Sequence, residues 1–203
     1  MNATSTSGTS TSGYGEQAAE LVVQYESITF EDVHSDVLHL LPATSSRIAD
    51  IGAGTGRDAA ALARRGHRVV AVEPTAELRE AGERLHAGIG IEWLDDSLPA
   101  LTRLREQPMR FDVIMLTAVW MHLDADERAR AMAAVDALLA DHGLVFLSLR
   151  HGPVPAGRRM FDVSAEETIA LAEPYGLRSA HCSERSGLMG RTDVHWTNLV
   201  LRR

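Results

Sequence analysis

The chain has 203 residues, 45% of them apolar and 24% charged, and a net charge of −8. Those proportions describe one globular domain, long enough to bury a core without disulfides or metals, and exclude a disordered chain. The negative balance argues against general affinity for nucleic acid, which rests on basic side chains releasing counterions.

Residue types and runs narrow the field further. No apolar run approaches the ~20 residues that cross a bilayer. All twenty basic residues are arginine, which excludes Schiff-base chemistry on lysine and a phosphate loop ending in Gly-Lys-Ser/Thr. One cysteine, Cys182, excludes an internal disulfide. The opening MNATSTSGTSTSG has neither the basic region nor the apolar core of a secretory leader, so a cytoplasmic location is expected.

Residues 1–13, rich in Ser, Thr and Gly, are expected to form a disordered tail ahead of a single domain over 14–203. From Glu16 to Leu41 the apolar spacing predicts two helical pieces, one carrying Ala18, Leu21, Val22 and Tyr25, the other Val33, Val37, Leu38 and Leu41. Pro42 ends the second piece. Alternation follows: strand Arg47 to Ile51, helix Arg57 to Arg65 closed by Gly66, strand Arg68 to Glu73, and a helix capped by Thr75 with Leu78, Ala81 and Leu85 inward. A third strand spans Ile91 to Leu94 and a fourth Phe111 to Thr117. Asp124 and Glu127 form a capping-box pattern for a helix stopped by Gly143, and Leu144 to Leu149 is a fifth strand. Ser164 and Glu167 repeat the capping signature. Leu177 to Ser183 and Val194 to Arg202 then read as an antiparallel pair at the sheet edge. The whole is a three-layer α/β sandwich on a mostly parallel sheet.

Chemistry concentrates where strands end. Ligands of an open parallel sheet bind beyond the carboxyl ends of its strands. The first strand runs into Asp50-Ile51-Gly52-Ala53-Gly54-Thr55-Gly56, a turn whose glycines let backbone approach a ligand. Its spacing is G-x-G-x-G, whereas the dinucleotide fingerprint has two residues before its third glycine. Asp50 can anchor the loop or accept from an ammonium group. Glu73, 21 residues after Gly52, can accept from both hydroxyls of a ribose. Asp95-Asp96-Ser97 follows the third strand and offers acceptors and an N–H to an adenine edge.

The segments IADIGAGTGRDAAALARRGHRVVAVEP, WLDDSLPAL, FDVIMLTAVWMHL and GLVFLSLRHGP together resemble the class I S-adenosylmethionine-dependent methyltransferases, particularly the small bacterial ones. The resemblance covers roughly Tyr14 to the end of the chain. It implies a seven-stranded Rossmann-like sheet of order 3-2-1-4-5-7-6 with the last strand antiparallel, and S-adenosyl-L-methionine as cofactor. It implies that Gly52, Gly54 and Gly56 contact the methionine part, that Glu73 holds the ribose, and that Asp95 or Asp96 with the Ser97 N–H recognises adenine. Ala53, Asp58, Pro74, Thr117, Ala118 and Tyr25 complete the expected cofactor residues. The helical segment over 14–41, with Tyr14 and Tyr25, resembles the lid of these enzymes.

On the acceptor side the expected residues are Tyr14, Trp120, Arg150 and His151, with His122 as the candidate general base. His195 and Trp196 are expected to pack rather than bind. No metal is expected, since the fourth strand ends in Leu116-Thr117-Ala118 without a carboxylate. The expected reaction is methyl transfer to an O, N or S atom of a small molecule, without nucleic-acid or membrane partners. The rival readings are an NAD(P)-binding oxidoreductase and a non-catalytic module that binds the same cofactor.

Overall fold

The computed structural model describes residues 14–15, 17–188 and 193–203; the expected tail over 1–13 lies outside them. One sheet contains β1 (Arg47–Ile51), β2 (Arg68–Val72), β3 (Glu92–Leu94), β4 (Phe111–Thr117), β5 (Leu139–His151), β6 (Arg178–Ser186) and β7 (His195–Arg202). Their order is β3-β2-β1-β4-β5-β7-β6, and β7 alone runs against its neighbours. The helices are α1 (Ala18–Glu26), α2 (Phe30–His34), α3 (Arg57–Arg64), α4 (Ala76–Leu85), α5 (Thr102–Glu106), α6 (Ala125–Leu138) and α7 (Ala165–Ala172). The expected α/β sandwich and its strand order are borne out.

Residue alternation explains the layers. β1 and β2 each bury their last four residues, as strands covered on both faces must. Ile48 pairs with Val69 and Val113 and points with them toward Phe30 of α2 and Leu62 of α3. One residue on, Ala49 and Ile51 turn to the opposite face, where Ile114 and Leu116 meet Leu104, Val135 and Leu138 of α5 and α6. Each fully buried aliphatic side chain contributes roughly 1.5–3 kcal/mol, enough to offset the conformational entropy its residue loses. Among the described residues, no helix is long and apolar enough to cross a membrane.

The N-terminal segment lies across this frame. Ala18 and Leu21 of α1 pack on Leu78 of α4. The second expected helical piece is shorter than its apolar spacing implies: α2 starts at a capping box of Thr29 and Asp32, and Leu38–Leu40 forms a separate 3-10 turn. Between them, the Asp36 carboxylate accepts from the Ser183 hydroxyl of β6 and, at 2.8 Å, from the Asn198 amide of β7.

Several local expectations need correcting. Gly143 does not stop a helix; α6 ends at Leu138 and the chain enters β5 at once, with Leu139 opposite Phe111. The ladder then slips between Phe111 and Val113, with His142 at φ 63° in the irregular stretch that holds Gly143. Thr75 makes no side-chain cap; its N–H is taken by Glu73. α5 was not anticipated, because five residues are too few for a helical period to emerge. At α7 the Ser164 hydroxyl caps the Glu167 N–H at 3.1 Å, but the Glu167 carboxylate turns to Arg128 at 2.7 Å instead of closing the box. Ser164→Ala is therefore expected to cost about 1 kcal/mol of stability, read from a shift in denaturant midpoint at unchanged slope.

Candidate functional site

The turn after β1 is built by its backbone. The Gly52 and Ala53 N–H groups both donate to the Val72 carbonyl at the end of β2, at 2.8 and 3.0 Å. Gly52 sits at φ 73°, and a Cβ there would lie 2.5 Å from a methyl of Val119. Only glycine fits that position. Next, the Gly54 N–H donates to Glu73 Oε2 at 2.8 Å, while Glu73 Oε1 accepts from the Thr75 N–H at 2.8 Å. Glu73 thus joins the loops that follow β1 and β2, and each of its oxygens keeps a second lone pair. Burial pushes its carboxyl up, and the two N–H bonds oppose that shift.

Behind this turn lies a buried polar cluster. Asp58, at the start of α3, accepts from the Thr117 hydroxyl at 2.9 Å and from Arg57 Nε at 2.7 Å, with His34 Nε2 2.8 Å away. Burial alone raises a carboxyl, but His34 and Arg57 outweigh it and hold Asp58 well below the usual range. Asp50 is the reverse case: burial, with the charge of Asp58 added, raises it far above that range. Its Oδ2 is buried and has no partner among the described residues. An acceptor so placed fits a ligand that brings its own N–H donors, such as an ammonium group.

The ends of β1 to β5 open onto a cavity of about 500 Å³. Asp50, Gly52, Ala53, Gly54, Asp58, Glu73 and Pro74 border it, as do Asp96, Ser97, Thr117 and Ala118. Tyr25 closes the turn from above, its ring 3.4 Å from where a Cβ of Gly54 would stand. Tyr14 also lines the cavity, and its hydroxyl lies 2.9 Å from His122 Nε2. The other ring nitrogen, Nδ1, is 2.9 Å from the Arg159 carbonyl. A carbonyl only accepts, so Nδ1 carries the proton and Nε2 presents a lone pair. Burial pulls the pKa of His122 down, with Arg158 and Arg150 acting the same way and the Arg159 bond opposing.

Four expected site residues lie away from the cavity. Trp120 is fully buried, because the 3-10 turn Trp120–His122 tucks it under β4 into the core. His151 follows Arg150 on β5 and so faces the other side of the sheet; its Nε2 lies 2.8 Å from the Thr197 hydroxyl and its ring stacks on His195. Asp95 is half exposed, between Arg79 at 3.6 Å and Arg103 at 3.9 Å. Gly56 packs against the Trp93 ring. Asp96 stays at the rim, but its carboxylate accepts from the Ser97 and Leu104 N–H groups, so the Ser97 N–H is already engaged.

Other lining residues were missed or misplaced. Trp196, expected only to pack, borders the cavity together with Arg185 and Arg158. Arg159, by contrast, is structural: it bonds Asp124 at 2.9 Å and Glu127 at 2.7 Å. Among the described residues, no group of three or more His, Cys, Asp or Glu could hold a metal ion.

A sheet ordered 3-2-1-4-5-7-6 with its glycine turn after the first strand and an acid after the second is the class I methyltransferase fold. Residues 48–143 match the family described as methyltransferase domain. The chain is 27% identical over 161 residues to an uncharacterized methyltransferase of Oceanobacillus iheyensis, a match covering 77% of this chain and 67% of that protein. It is 32% identical over 111 residues to the ubiquinone biosynthesis O-methyltransferase of Xylella fastidiosa, covering 53% of this chain and 43% of that one. In fold it is similar to 1,6-didemethyltoxoflavin-N1-methyltransferase of Burkholderia thailandensis, solved with that compound and S-adenosylhomocysteine. The TM-score is 0.64 at 20% identity, over 92% of this chain and 86% of the other. The fold is thus that of the class I S-adenosylmethionine-dependent methyltransferases, with the methyltransferase-domain match confined to residues 48–143.

Proposed function

We propose that the cavity binds S-adenosyl-L-methionine beside a small-molecule acceptor and that the chain transfers a methyl group to an O, N or S atom of that acceptor. The observation that carries this reading is Glu73, a buried carboxylate that fixes two loops of the rim and still has acceptor capacity facing the cavity. When bound, the cofactor supplies a methyl group already made electrophilic by its sulfonium. The residues fit it: Glu73 takes ribose hydroxyls, the Gly52–Gly54 backbone leaves room for the methionine part, and the unpartnered Asp50 Oδ2 accepts from its ammonium. Asp96 borders the region for the adenine, with its carboxylate set by two backbone N–H groups.

What the chain itself contributes is placement and a proton acceptor. Holding two reactants in line removes much of the entropic part of a bimolecular barrier. Tyr14 and Tyr25 line the cavity from the N-terminal segment and narrow it beside the glycine turn and His122. An acceptor hydroxyl or amine that takes the place of the Tyr14 hydroxyl meets the lone pair of His122 Nε2 and gives up its proton there. Because burial keeps the imidazole neutral near pH 7, that lone pair is available.

Calorimetry with S-adenosylhomocysteine and NAD tests the reading directly. The expected result is binding of the first and none of the second. Glu73→Ala should weaken S-adenosylhomocysteine about 10- to 100-fold, the value of one or two hydrogen bonds to a charged group. Glu73→Gln, which retains an acceptor for one loop N–H, separates loss of ligand contact from loss of fold. Tight binding of NAD with no binding of S-adenosylhomocysteine would sink the proposal.

A further inference from the structure

Away from the glycine turn, the cavity is walled by the ends of β5, β7 and β6. Arg150, Trp196 and Arg185 stand opposite one another across these three strands, so their side chains leave the same face of the sheet. All three line the cavity. Arg158 joins them with its guanidinium 3.7 Å above the Tyr14 ring. The carboxylates on the cavity wall are Asp50, Asp58, Glu73 and Asp96, which belong to the β1–β3 end and the start of α3. Among the described lining residues of the β5–β7–β6 end there is no carboxylate. One wall is acidic and the other cationic.

Arg185 is the informative member of the row. Its Nε is buried and meets no acceptor among the described residues. The carboxylate that acts on it most, Asp36, is occupied by Asn198 and by the Ser183 hydroxyl. Burial lowers the pKa of Arg185 and Arg57 adds to that, with Asp36 opposing. A half-buried guanidinium with an unfilled donor is costly unless an anion meets it, and its planar fork suits the paired oxygens of carboxylates and phosphates.

We propose, resting on the methyltransferase reading, that the methyl acceptor is a small molecule bearing an oxyanion, and that Arg185 and Arg150 hold this group beside Trp196. Such a group would enter the cationic end of the cavity and leave the reacting atom toward His122. Specificity of this kind follows from charge: an uncharged analogue of the same shape leaves the guanidinium unpaired.

The test uses the full chain saturated with S-adenosylhomocysteine, with benzoate, phenyl phosphate and benzamide as probes in calorimetric titrations. Benzoate or phenyl phosphate is expected to bind at least about tenfold more tightly than benzamide; which of the two wins distinguishes carboxylate from phosphate. Arg185→Gln should abolish that preference and leave S-adenosylhomocysteine affinity within about twofold, while Arg185→Lys should restore only part of it. Equal binding of benzamide, binding of neither anion, or an unchanged preference in Arg185→Gln overturns the proposal. Failure of S-adenosylhomocysteine to bind overturns the methyltransferase reading as well, so the two failures are distinct.

Discussion

Replacing His122 with glutamine is expected to lower kcat about 10²- to 10⁴-fold for an acceptor that must lose a proton, the usual contribution of a positioned base. Glutamine can still accept from the Tyr14 hydroxyl, which lies 2.9 Å from Nε2 in the wild type, but it cannot take up a proton. S-adenosylhomocysteine affinity should stay within a few-fold, because the change removes proton uptake and not the cofactor turn. The pH dependence gives a second readout. A histidine whose pKa is pulled down by burial stays neutral, and active, as pH falls through the ordinary value of about 6.5. The acid limb of kcat/KM in the wild type should therefore lie below pH 6.5 and vanish in His122→Gln. Persistence of that limb in the variant would assign it to another group. The assay measures S-adenosylhomocysteine release across phenols, amines, thiols and acids, then repeats the profile with the best acceptor.

Gly52→Ala should be the most damaging single methyl group that can be added at the rim. Two costs coincide at this residue. A non-glycine side chain at φ 73° is disfavoured by roughly 1–2 kcal/mol, and the new Cβ would stand 2.5 Å from a Val119 methyl, adding about 1–3 kcal/mol of overpacking. Against a typical stability of about 5–15 kcal/mol, a loss of about 2–5 kcal/mol is large. Chemical denaturation should show it as a lowered midpoint. Gly52→Ala combined with Val119→Ala removes the clash but leaves the backbone cost, so it should recover only part of the loss. Full recovery would show that the left-handed backbone contributes nothing, and no recovery would show that Val119 is not the obstacle.

The sheet was legible because its evidence is periodic or conformational. Val69 to Val72 and Val113 to Leu116 are apolar on both faces, the mark of covered parallel strands, and the glycines after Ile51 demand a turn there. Chemistry at strand ends was legible only as far as direction was known. Arg150 and His151 are equally plausible as letters, but side chains alternate along a strand, so one of the two must leave the cavity. Asp95 and Asp96 divide in the same way: the loop turns one outward to arginines and ties the other to Ser97 and Leu104. Trp120 was misplaced because a 3-10 turn, too short to leave a period, rolls it into the core. Arg185 carries no local signal at all. It gains meaning from the β6–β7 register that sets it opposite Trp196 and from the pairing of β7 with β5 that brings both beside Arg150.

The bond between Asp36 and Asn198 spans 162 positions. It ties the segment after α2 to a strand that enters the sheet beside β5, so that segment is fastened only once β7 has paired. Contacts this distant in sequence form late and slowly. A frame still incomplete at β7 therefore has its glycine turn in place but lacks this anchor for the N-terminal segment.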